Sequence, residues 1–232
     1  ITYIMPIIHI EKLIFGGQAL GRLDGKAVFV WNALPGEDVE IEYTANKKNF
    51  AEGIAVKILT PSPQRIEPKE KHFLATSPWD IMDYKTENET KKQIAIETYG
   101  RNGGLILQEN PPEIKFNDNQ YGYRNKIEFN FTKLQNSQIS LAFSNRASHN
   151  FIPIENSYLA KPELNLVAKK ILLWINANHL PIRSLQTLII KSNQKGQVIS
   201  SLSIGSKINF SNFPLLDNQF IGFSIYQNSE LV

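Results

Sequence analysis

A chain of 232 residues is long enough to bury one large core or two small ones without metals or disulfides, and 42% hydrophobic, 20% charged and 10% aromatic residues describe a folded globular protein, excluding a disordered or fibrous one. The cysteine count of zero excludes disulfides, thiolate nucleophiles, Cys-bound zinc and iron–sulfur clusters together. A formal net charge of only +3 means that affinity for a polyanion has to come from local clusters of Lys and Arg.

The first ten residues, Ile1 to Ile10, are apolar but broken by Thr2, Tyr3, Pro6 and His9, too short and interrupted for a membrane span or a secretory signal, so a cytoplasmic protein without membrane contact is expected. Five short apolar runs follow: Ile8 to Phe15, Ala27 to Trp31, Asp38 to Thr44, Phe50 to Ala51 and Gly53 to Leu59. Gly16-Gly17, Asp24-Gly25, Pro35-Gly36 and Asn46-Lys47-Lys48 separate them as turns. This spacing predicts a five-stranded barrel of the OB type. Pro61, Pro63 and Pro68 disfavour helix and strand pairing, which places a boundary after residue 62 and a second domain over 63–232.

In that second domain a helix is expected over 83–101, capped by Asp83, supported by Glu87/Lys91 and Glu89/Gln93, and stopped at Gly100. Ile127, Phe129 and Phe131 alternate with polar residues, and Ser137 to Phe143 repeats the pattern, predicting a hairpin. Pro162 opens the clearest helix, with Leu164, Val167, Ala168, Ile171, Leu172 and Ile175 on one face and an end near Asn176 to His179. Leu185 to Ser192, Gln197 to Ile204 and Gln219 to Tyr226 read as three more strands. The fold class is therefore mainly β with α+β: a barrel, then helices on a mainly antiparallel sheet.

The strings Ile10-Glu11-Lys12-Leu13-Ile14-Phe15-Gly16-Gly17, Gly21-Arg22, Asp24-Gly25-Lys26, Val28-Phe29-Val30 and Leu34-Pro35-Gly36-Glu37 resemble a TRAM domain. TRAM is the OB-like RNA-binding module that opens many bacterial RNA uracil-C5 methyltransferases. The resemblance runs on through Pro61-Ser62-Pro63, Arg65, Pro68 and Tyr123-Arg124-Asn125-Lys126 to Pro162. It implies an RNA-recognising region of an S-adenosylmethionine-dependent enzyme acting on structured ribosomal or transfer RNA. Two departures matter. Family members carry three iron–sulfur cysteines just after the barrel and a fourth further on; here Glu70, Thr76, Trp79 and Ser157 stand in those places, so no cluster is expected, with Trp79 filling part of the volume. The chain also ends at Val232, before the Rossmann-like domain that binds the cofactor and carries the nucleophilic cysteine in relatives. No catalytic residue and no cofactor site is therefore expected in these residues. A catalytic domain in cis or a separate subunit is the expected partner, with the 83–101 helix a candidate face for it. The alternatives are a stand-alone RNA-binding module or a non-catalytic scaffold.

Arg22, Lys26, Lys47, Lys48, Lys57 and Arg65 are candidates for a basic face against RNA phosphates, or else a solvated surface. Phe15, Phe29 and Trp31 offer stacking faces, but barrel core is the expected role of Phe15 and Phe29. Tyr123, Arg124, Asn125 and Lys126 combine an aromatic, an amide and two cations suited to a sugar-phosphate backbone; the alternative is a strand start with Arg124 paired to a carboxylate. Arg146 is a weaker candidate of the same kind. His9, His72, His149 and His179 show no metal-binding spacing, so no metal is expected. Gly16-Gly17 and Gly103-Gly104 read as turns, and Asp80 and Asp83 as surface and helix cap.

Overall fold

A computed structural model describes residues 5–107, 109–146, 150–227 and 230–231. Strands β1 (Ile7–Leu13), β2 (Ala19–Leu23), β3 (Lys26–Trp31), β4 (Asp38–Asn46) and β5 (Phe50–Thr60) close into a barrel in the order β1-β2-β3-β5-β4. β3 and β5 run parallel, and the other neighbours antiparallel. Alternation places Ile8, Ile10, Val28, Val30, Val39 and Ile41 in the interior. The expected five-stranded barrel is present, but from a corrected set of strands. Ala19–Leu23 is a strand that its central glycine disguises, and Phe50–Thr60 is one continuous strand where two were expected. Both corrections have one cause, the close approach of backbones in a tight barrel. A Cβ on Gly21 would lie 2.3 Å from the His9 carbonyl oxygen, and one on Gly53 would lie 2.7 Å from that of Glu42.

The chain forms two compact units, Ile1–Asn117 and Asp118–Val232. The proline-rich segment after residue 62 therefore lies inside the first unit, and residues 63–117 pack with the barrel. Helix α1 (Phe73–Thr76) is a single turn. Helix α2 (Tyr84–Gly103) begins where Asp83 accepts a hydrogen bond from the Thr86 amide at 3.0 Å, and it ends at the left-handed Gly104, not at Gly100. The Glu87–Lys91 pair forms at 2.6 Å. Ile81 and Met82, between the helices, are buried in the barrel's own core, with Phe73, Trp79 and Ile94 packed against it.

In the second unit, β6 (Lys126–Lys133), β7 (Ile139–Ser144), β8 (Phe151–Pro153), β9 (Leu185–Ser192), β10 (Val198–Ile204), β11 (Phe220–Gln227) and β12 (Glu230–Leu231) form one sheet in the order β12-β11-β10-β9-β6-β7-β8. Only the β10–β11 pair in this order is parallel. Helix α3 (Pro162–Ala177) has proline in its first turn and buries Leu164, Val167, Ala168, Ile171 and Ile175 on the sheet. Trp174 joins that face, whereas Leu172 is only partly buried. Among the described residues no helix is long and apolar enough to cross a membrane.

Candidate nucleic-acid interface

Two hairpins meet at one end of the barrel. The β2–β3 turn runs through Asp24 and Gly25, both at positive φ, and pairs Arg22 with Ala27 and Leu23 with Lys26. The β4–β5 turn carries Lys47 and Lys48 and is closed by the Lys47 amide donating to the Phe50 carbonyl at 2.9 Å. Because Ala27 lies opposite Phe50 in the parallel β3–β5 pair, the two turns sit side by side, and Lys26 Nζ donates to Asn46 Oδ1 at 2.5 Å. Arg22, Lys26, Lys47 and Lys48 are thus brought to one end. Arg22 has a loose carboxylate partner, Glu11, at 3.6 Å. Lys47 and Lys48 are exposed and, among the described residues, lie within 4.0 Å of no carboxylate. Unneutralised cations on adjacent loop tips are suited to successive phosphates of a polyanion. Lys57 instead pairs with Glu40 across the β4–β5 ladder, at 3.7 Å.

Arg65 is not at that end. Its guanidinium donates to both Glu37 carboxylate oxygens, at 2.6 and 2.8 Å, and to the Asn32 carbonyl at 3.0 Å. Glu37 is fully buried and also accepts from the Leu34 and Ser62 amides at 2.8 and 3.0 Å. Burial pushes the Glu37 carboxyl up, but the hydrogen bonds from Arg65, Ser62 and Leu34 and the charge of Arg65 outweigh it and hold the carboxyl below its usual range. Arg65 is a clamp tying the exit of the barrel to the loop before β4, and the expected phosphate contact gives way to that role.

In the second unit the backbone of Tyr123 to Lys126 is pinned on both sides. The Arg124 amide donates to the Leu159 carbonyl at 2.9 Å, the Lys161 amide to the Arg124 carbonyl at 3.0 Å, and the Ser192 amide to the Asn125 carbonyl at 2.8 Å. Tyr123, Arg124, Asn125 and Lys126 are all exposed. Among the described residues Arg124 has no carboxylate within 4.0 Å, so the alternative of a strand-start ion pair is not what forms. Register sets Lys126 directly opposite Lys191, also exposed. Like charges facing each other across a ladder cost stability unless an anion lies over them. Lys191 was invisible to sequence reasoning because only the register shows its partner. Arg146 is half-buried, and burial pulls its guanidinium below the usual value, though it stays charged. Residues 147–149, the rest of that turn, lie outside the described residues, and His149 with them.

The residues expected at the cluster-cysteine positions hold a different chemistry. Glu70 is buried, accepts from Thr76 Oγ1 at 3.0 Å and lies 3.0 Å from His72 Nε2. Trp79 Nε1 donates to the Gly17 carbonyl at 2.9 Å, fixing the β1–β2 turn. Asp80 is buried and accepts from the Lys69 amide at 2.7 Å, and so is no surface residue. In the second unit Ser157 is buried, its backbone held at both ends by the Asn165 amide side chain at 2.9 Å. A carboxylate, a hydroxyl and an indole, each engaged with protein partners, do not fit an iron–sulfur cluster, which requires thiolates. Among the described residues no group of three His, Asp or Glu is placed to hold a metal. Nor do the glycine pairs form a nucleotide loop: Gly16-Gly17 lies in a hairpin, and Gly103-Gly104 ends α2, where the helix dipole repels phosphate.

The closed five-stranded barrel with its basic hairpin end falls in a known class of small domain: residues 8–56 match the TRAM domain family. Beyond the barrel, the chain is similar over most of its length to proteins named as RNA methyltransferases. An uncharacterized RNA methyltransferase of Lactococcus lactis is 28% identical over 199 residues, covering 81% of this chain and 38% of that protein. One from Enterococcus faecalis is 32% identical over 71% of this chain and 36% of its own length. The 23S rRNA uracil-C5 methyltransferase RlmD of Shewanella baltica is 29% identical over 69% of this chain and 36% of its own. The chain thus spans well under half the length of these relatives. In fold it matches the tRNA uracil-54 C5 methyltransferase of Pyrococcus abyssi, solved with S-adenosyl-L-homocysteine, with a TM-score of 0.65 at 15% identity over 95% of this chain and 51% of that one.

Proposed function

We propose that these residues are the RNA-recognising region of an S-adenosylmethionine-dependent RNA uracil-C5 methyltransferase whose substrate is a structured ribosomal or transfer RNA. The observation that carries the reading is the unneutralised Lys47-Lys48 tip beside Arg22 and Lys26 on a TRAM-matched barrel. The pinned Tyr123–Lys126 stretch facing Lys191 supplies a second phosphate-binding surface. The names of the relatives support the choice of RNA and of methyl transfer. None of the 232 residues is a cysteine, so a thiolate attack on the uracil ring has no nucleophile among them. The transfer step then falls to a cofactor-binding region outside these residues, in cis or on a separate subunit, while this chain holds the RNA. Phosphate contacts give affinity, and unpaired bases give selectivity.

The test is binding of the whole chain to structured ribosomal and transfer RNA transcripts across a salt series. Log affinity is expected to fall linearly with log salt, and the Lys47→Ala/Lys48→Ala variant is expected to flatten the slope by about two, roughly one per lysine. Absence of salt-dependent RNA binding in the wild-type chain would sink the reading.

A further inference from the structure

Phe15 overturns its expected place in the barrel core: it sits at the tip of the β1–β2 hairpin with 79% of its surface exposed. The turn that carries it is nevertheless fixed. The Ile14 amide donates to the Gln18 carbonyl at 2.9 Å, the Gly17 amide to the Ile14 carbonyl at 3.1 Å, and the Gly17 carbonyl accepts from Trp79. A pinned turn removes the backbone share of the ordering cost when something stacks on the ring it carries, which favours binding. Behind the ring lies a cleft of about 370 Å³ whose floor is the outer barrel face, Leu20 and Phe29, with Ile94 of α2 as a wall. Lys12, Glu97 and Arg101 line its rim. Lys12 and Arg101 share the single Glu97 carboxylate, which leaves one positive charge in excess.

We propose that this cleft takes one unpaired nucleotide of a bound RNA, its base stacked on Phe15 over the Leu20–Phe29 floor and its phosphate drawn to Lys12 and Arg101. Three observations choose that occupant. Aromatic and apolar surface suits the face of any base, and the cation excess suits its phosphate. The cleft is too small for a duplex. The outward face of β2 also leads from Leu20 directly to Arg22 at the basic end, two residues or about 7 Å on, so a strand entering the cleft continues over the lysine tips. Trp79, by its hydrogen bond to the Gly17 carbonyl, holds the turn that carries the ring.

The inference rests on the RNA-binding reading, and the test separates the two. The whole chain is titrated into a single-stranded oligonucleotide carrying 2-aminopurine at one position, with anisotropy and base fluorescence read together. Wild-type protein is expected to alter the fluorescence by stacking; Phe15→Ala is expected to bind about tenfold more weakly or worse, to lose that change and to keep the wild-type salt slope. Phe15→Tyr should preserve both readouts, and Arg101→Ala should weaken binding and flatten the slope. Lys47→Ala/Lys48→Ala should flatten the slope and, at saturation, retain the fluorescence change. Salt-dependent binding with affinity and fluorescence unaffected by Phe15→Ala overturns the cleft and leaves the RNA reading standing. No RNA binding by the wild-type chain overturns both.

Discussion

At Glu37 the cost of burial and the gain from pairing meet in one side chain. A carboxylate with no exposed surface is tolerated because its oxygens accept from Arg65, Leu34 and Ser62 together. Removing one partner leaves the other charge stranded, so Glu37→Gln and Arg65→Ala are each expected to cost roughly 3–5 kcal/mol in urea unfolding. A loss of RNA affinity on Arg65→Ala that persists after correction for folded protein would return Arg65 to the interface. The sign of the pH effect follows from the depressed carboxyl. Glu37 contributes full stability above the carboxylate's ordinary 4.5, and that contribution disappears as pH falls through the lower folded value. Arg65 read as a surface cation because its partner lies 28 residues earlier, a separation that no local pattern reports. Phe15 misread in the opposite direction: its apolar character suggested core, while its place beside Gly16-Gly17 put it on a turn, where side chains face solvent. Lys47 and Lys48 were legible because the Asn46-Lys47-Lys48 turn puts them at a loop tip whatever the register.

Elements were legible where a single period ran uninterrupted. β9, β10 and α3 alternate or repeat without a glycine and lie within a residue or two of where pattern alone sets them. β2 and β5 were obscured because Gly21 and Gly53 stand where neighbouring backbones leave no room for a side chain, a tertiary demand that mimics a turn signal. The start of β11 shows a capping device that pattern does not reveal. Asp217 accepts from the Gln219 and Phe220 amides at 2.8 and 2.7 Å and from Lys170 of α3, so one carboxylate fastens a helix to the turn entering the strand. The Lys170 hydrogen bond, then the two amides, hold Asp217 at about 2, below its ordinary 3.8. A depressed folded value means that stability is present above about pH 4 and is lost as pH falls toward 2. The difference in unfolding midpoint between wild type and Asp217→Asn should therefore be constant near neutrality and shrink to a small fraction of that value as pH falls to about 2. A difference that persists unchanged at pH 2 would assign the effect to the side chain's shape and not to its charge.

On the scale of the whole molecule, two hydrophobic cores divide the chain, one drawn from the barrel with Ile81 and Met82 and the other from the sheet with α3. Prolines after residue 62 suggested that the barrel ends there, and as a set of strands it does. As a folding unit it continues, because Ile81 and Met82 are each only 1% exposed and complete its interior. Burying two such side chains contributes about 3–6 kcal/mol, a large share of what stabilises a small domain. A fragment ending at Asn117 is therefore expected to unfold in one cooperative urea transition and to keep the salt-dependent RNA affinity of the Lys47-Lys48 end, while a fragment ending at Ser62 should be several kcal/mol less stable and bind a dye specific for exposed apolar surface. Circular dichroism and dye fluorescence on the two fragments decide it. Equal stability would mean that residues 63–117 only rest on a self-sufficient barrel, and that the folding unit is the five strands alone.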